Sequence, residues 1–139
     1  LTGLKRGDLT RFIRSIAVPR LPAVASAVLV LGLGLGSRYG LTGFWAKYLG
    51  VCFWATLVYV LAVLVKPSVT ASRAALISIT ISWFVEFAQL TPVPAWLSSK
   101  HIILRLIFGT TFNPGDLLAT AVGVGLAAGV HALARRRRS

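Results

Sequence analysis

The chain has 139 residues, 56% of them hydrophobic and only 13% charged, with 15 Lys and Arg against 3 Asp and Glu. A soluble domain is nearer one quarter charged, because its surface must face water; this composition excludes an ordinary soluble enzyme and a disordered tail. The single cysteine, Cys52, excludes an internal disulfide and a cysteine-based metal cluster.

A helix crossing a ~30 Å hydrocarbon core needs about 20 apolar residues, with ~17 as the lower limit. Ahead of the first such stretch, residues 1–20 are basic, and residues 8–20 are expected to form a short amphipathic helix with Phe12, Ile13, Ile16 and Ala17 towards lipid. Uncharged runs at 21–37 and 48–65 give two spans, and 74–90 gives a third, apolar except for Glu86, Gln89 and a few hydroxyls. Thr91-Pro92-Val93-Pro94 is expected to end it, since proline cannot continue a helical ladder. Residues 102–108 are apolar but too short to cross, and they carry Arg105. The fourth span, 117–134, opens with Asn113 as N-cap and Pro114 at the first helical position. The predicted fold is therefore all-α: one integral membrane bundle of four transmembrane helices, with a short interfacial or re-entrant helix between spans three and four. The basic start followed by an apolar run mimics a signal peptide. No small-residue cleavage site follows, so the first span is expected to be retained.

Loop charge sets the expected orientation. With the N-terminus inside, eleven Lys and Arg lie on the cytoplasmic side, against Arg38, Lys47, Lys100 and Arg105 outside. The positive-inside rule then favours N-in, C-in. The run Arg135, Arg136, Arg137 and Arg138 directly follows a span, so it reads as an anchor for anionic lipid headgroups rather than a nucleic-acid patch. Trp45, Tyr48 and Trp96 fall at the expected outer interface and read as belt residues.

Glu86 is the most informative residue. A carboxylate inside a span is costly and usually faces the bundle interior. Ser78, Ser82, Glu86 and Gln89 follow spacings of four, four and three, which makes one polar stripe on one helix face. Arg105 and Arg38 are the nearest counter-ions by level. Asp116, in the first turn of the fourth span, has a structural reading as partner of the helix N-terminus. The functional alternative is that Glu86, Gln89, Arg105 and Asp116 converge at the outer mouth around a cation, a proton or a polar headgroup. His101 and His131 belong to opposite sides and cannot share a metal; Cys52 reads as a packing residue. No metal site or cofactor is expected. Gly32-xxx-Gly36 and Gly125-xxx-Gly129 are small-residue faces suited to close helix contact.

Several stretches, in order, carry a family resemblance: Lys47-Tyr48-Leu49-Gly50, Val85-Glu86-Phe87-Ala88-Gln89, residues 105–112, and Asp116-Leu117-Leu118 with Gly123. On these the chain resembles the bacterial domain-of-unknown-function family DUF2809, itself distantly similar to VanZ-like proteins. The resemblance implies a four-span protein of the bacterial inner membrane, not a reaction. The chain departs from the pattern at Val51 and Asn113, where relatives carry acids. Three functions follow as expectations. The first is a non-catalytic accessory or packing subunit, with other membrane subunits and lipids as partners. The second is a VanZ-like enzyme or resistance factor handling lipid headgroups. The third is a small ion or solute pathway.

Overall fold

The computed structural model describes residues 20–137; the amphipathic helix expected over 8–20 falls, but for Arg20, outside them, as does Arg138. The described chain folds into six helices and no strand: α1 Leu21–Gly40, α2 Gly43–Val65, α3 Ala71–Ala88, α4 Pro92–Lys100, α5 Ile102–Phe108 and α6 Pro114–Arg136. Helices α1, α2, α3 and α6 are long and apolar enough to cross a membrane. The short 102–108 helix stands where the sequence places it.

One helix was not foreseen. Thr91-Pro92-Val93-Pro94 does stop α3, but Pro92 also opens α4. Proline is suited to a first helical turn, where its missing N–H has no intrahelical partner in any case. The expected α6 start is seen: the Asn113 side chain accepts from the Gly115 N–H at 2.9 Å, and Pro114 follows as first residue.

α2 is the hub. It packs against α1, α3 and α6, and α3 also packs on α6, whereas the main packing of α1 is on α2 alone. The core joins Ala55, Tyr59, Val69, Ala74 and Val124. Its interior is small and polar, with Ser78, Ser82 and Thr120 fully enclosed, while Leu76, Phe84, Leu118 and Leu126 point outward. This inversion of a soluble core is what lipid demands. Hydrocarbon solvates leucine as well as a core would, so helices associate through close packing of small residues and interhelical hydrogen bonds. Ser78 donates to the Ala55 carbonyl at 2.8 Å, Thr56 to Gly123 at 3.1 Å, and the Cys52 thiol to Ala119 at 3.1 Å. At the other end of the bundle the Tyr59 hydroxyl meets His131 Nδ1 at 2.8 Å, and Arg135 donates to the Pro67 carbonyl at 2.8 Å.

The close helix contacts run through different glycines from those expected. A Cβ at Gly123 would run into the Cys52 backbone, and one at Gly34 would press on Phe53 at 3.1 Å; Gly32, Gly36, Gly125 and Gly129 face open space. Gly34 and Gly123 lie on the inward faces of α1 and α6, and the two spaced pairs lie on the outward ones.

Candidate functional site: a charged cavity at one end of the bundle

A cavity of about 480 Å³ opens where α1 and α3 end and α2 and α6 begin, covered by α5 and the segment after it. The size falls within the range of small-molecule sites. It exists because α2 presents little bulk there. Gly43, Ala46, Lys47, Gly50 and Val51 share one face at helical spacing, and nothing lies within 4 Å of a Cβ built on Gly43 or Gly50.

All five residues of the expected polar cluster, Arg38, Glu86, Gln89, Arg105 and Asp116, line this one cavity. Arg38 reaches it from the last turn of α1, where a cation also complements the helix C-terminus. The stripe on α3 turns inward: Ser78, Ser82 and Glu86 are buried on one face, and Glu86 keeps only 7% of its surface. Gln89 caps α3, and its amide donates to the Phe108 carbonyl at 2.9 Å, tying the end of α3 to the end of α5. Ser98 on α4 donates to the Gly109 carbonyl at 2.6 Å. Together these bonds hold the α4–α5 hairpin over the mouth and fix the helix that carries Arg105.

Lys47 is the residue that sequence reasoning missed as a site member, having counted it as an outer-loop charge and as part of a family-like stretch. Its Nζ lies 3.6 Å from Asp116 Oδ1, within charge-pairing distance but beyond a hydrogen bond. The legible signal was its place on the α2 face between small residues. Asp116 therefore does more than sit at a helix start: it is 5% exposed, lines the cavity and faces a lysine.

The cavity thus holds three cationic groups (Arg38, Lys47 and Arg105) and two carboxylates. Glu86 Oε2, Gln89 Oε1 and Asp116 Oδ1 are buried without a hydrogen-bond partner. Buried polar atoms in folded proteins are rarely left so; Asp116 Oδ1 has the Lys47 charge beside it, whereas Glu86 Oε2 and Gln89 Oε1 have nothing, and the pattern fits a place where a ligand supplies the missing donors. No three His, Cys, Asp or Glu side chains gather as a metal cage among the described residues. His101 instead caps α5, accepting from the Ile103 N–H at 3.1 Å.

Trp45 and Trp96 are exposed near this end, each close to a lysine in the chain, and Lys100 lies 5.1 Å from the Trp96 ring. Tyr48 is half-buried at the same end, with its ring against Gly115. Of the two departures from the family pattern, Val51 lines the cavity and Asn113 is the α6 cap.

A family model described as "Protein of unknown function (DUF2809)" matches residues 40–124, a segment that includes every cavity residue except Arg38. No curated protein and no solved structure matches the chain.

Proposed function

The chain belongs to the DUF2809 family of proteins of unknown function, and we propose that it is a multi-pass membrane protein whose cavity holds a small polar group bearing charge of both signs. The observation that carries this reading is the gathering of two almost fully buried carboxylates, of which Asp116 has Lys47 as ion-pair partner and Glu86 has an oxygen with no partner, with three cationic side chains around one 480 Å³ space. A structural ion-pair lock would close such groups onto one another. Here Lys47 approaches Asp116 alone, while Glu86, Arg38 and Arg105 keep an open space between them. The excess of basic residues at the opposite end argues that the cavity faces the outside of a bacterial inner membrane, with both termini in the cytoplasm. Arg135 to Arg138 then lie against anionic headgroups of the inner leaflet.

Filling the cavity without disturbing the packing tests this reading. A Cβ at Gly50 meets nothing within 4 Å, so Gly50→Leu is expected to fold and to fill the space. In mild-detergent micelles, phosphoethanolamine is expected to raise the thermal stability of the wild-type chain, by roughly 2.7 kcal/mol at a hundred times its Kd. The Gly50→Leu chain is expected not to respond. A response of equal size in both would sink the reading.

A second reading, the accessory subunit, is favoured by one observation. The Gly32/Gly36 and Gly125/Gly129 faces lie open on the outside of the bundle, smooth enough to receive another helix. A stoichiometric membrane partner retained through mild-detergent purification would support it, and loss of that partner in a Gly32→Leu chain would place the contact.

A further inference from the structure

Beside the polar cavity runs an apolar cleft of about 270 Å³ between α1, α2 and α5, walled by residues such as Leu31, Leu35, Phe53 and Leu57. Arg38, Gly50, Trp54, Leu106 and Ile107 line both spaces, so the two adjoin, and Arg38 belongs to their common wall. Leu31 and Leu35 also belong to the exposed apolar surface of α1. The cleft therefore lies against the surface that a bilayer would cover.

Resting on the reading of the cavity given above, we propose that the two adjoining spaces together hold one phospholipid whose headgroup carries a phosphate and an ammonium. The phosphate lies beside Arg38 and Arg105, the ammonium lies against Glu86, and an acyl chain occupies the cleft.

Three features select this ligand class. A polar chamber beside an apolar cleft, the two sharing a wall, matches an amphiphile, whereas a free polar solute would leave the cleft unused. An arginine in the common wall stands where a phosphodiester stands in a phospholipid, between the acyl-bearing glycerol and the end of the head. The guanidinium fork also suits phosphate oxygens. Lys47 approaches Asp116, while Glu86 has no cation within ion-pair distance among the described residues and an orphaned Oε2. An ammonium supplies both the charge and the donor.

The test is native mass spectrometry of the full chain, released from micelles containing equal amounts of phosphatidylethanolamine and phosphatidylglycerol with the same acyl chains. Preferential retention of the ethanolamine lipid by roughly tenfold is expected, the equivalent of about 1.4 kcal/mol. Glu86→Gln is expected to bring that ratio near one while phosphate-bearing lipid is still held. Leu31→Trp, which fills the cleft from its exposed edge, is expected to lose the lipid and keep the thermal response to soluble phosphoethanolamine. Equal retention of the two lipids by the wild-type chain overturns the ammonium assignment, and undiminished lipid binding by Leu31→Trp overturns the cleft. If phosphoethanolamine stabilises the chain but no lipid is retained, the lipid proposal falls and the cavity reading stands. If neither binds, both fall.

Discussion

Gly123 stands at a tight contact of α6 with α2, with the backbone of Cys52 where its side chain would be. Two further contacts cross the same seam: the Cys52 thiol donates to Ala119 and the Thr56 hydroxyl to Gly123. Gly123→Ala forces the helices apart and strains those bonds, so it is expected to cost about 1–3 kcal/mol. Gly125→Ala, two residues on but facing open space, is expected to be neutral or to stabilise by up to about 1 kcal/mol, from helix propensity. Unfolding of the two variants in mixed micelles separates these outcomes, and equal stability would contradict the seam. The contrast also shows what a spacing rule misses. Gly125-xxx-Gly129 has the repeat, but which glycine faces a neighbour depends on the rotation of α6, and one sequence does not fix rotation. Glu86 was legible for the opposite reason: a carboxylate within a span has only one tolerable direction, inward, and Ser78 and Ser82 mark the same face.

Among the elements, the α4–α5 hairpin decides whether the cavity has a roof. It is attached to α3 through the Gln89–Phe108 bond and closed on itself through the Ser98–Gly109 bond. Gly109 between them has φ 62° and ψ −167°, a conformation open essentially only to glycine, and a Cβ there would come within 2.9 Å of the Gln89 amide. Gly109→Ala is therefore expected to cost about 1–3 kcal/mol locally and to loosen the hairpin without melting the four long helices. Hydrogen exchange should show faster exchange confined to residues 92–112, and uniform loss of protection throughout the chain would show that the hairpin is integral to the bundle. The long helices were readable because each is a run of apolar residues between charges. α4 was not, because its nine residues carry two prolines, two serines and a lysine, and only the tertiary clamp at Ser98 and Gly109 reveals why the segment folds. Lys47 was hidden by position: as an outer-loop charge it satisfied the topology rule, and nothing in its own neighbourhood named Asp116, 69 residues away, as its partner.

At the scale of the whole molecule, the small, polar interior has a consequence for how the protein enters the bilayer. α3 is the least apolar of the four spans because it carries the stripe that lines the core and the cavity. The cost of about 2.5–3.5 kcal/mol on insertion scales applies to a charge at the helix centre; Glu86, in the last turn of α3, costs less, but it adds to Arg73, Ser78 and Ser82 in the same helix, so α3 alone is a poor substrate for the insertion machinery. α2 is the most apolar span, reaches α3 through residues 66–70, and offers its Ala55 carbonyl to Ser78. The two are expected to partition as a hairpin, with α2 carrying its weaker successor. In a glycosylation-mapped insertion assay, isolated α3 should integrate in a minority of chains and the α2–α3 pair in most. Replacing Glu86 with leucine should let α3 integrate unaided. The carboxylate that equips the cavity thus also imposes an order on biogenesis, making the site's own helix dependent on a neighbour for its place in the membrane.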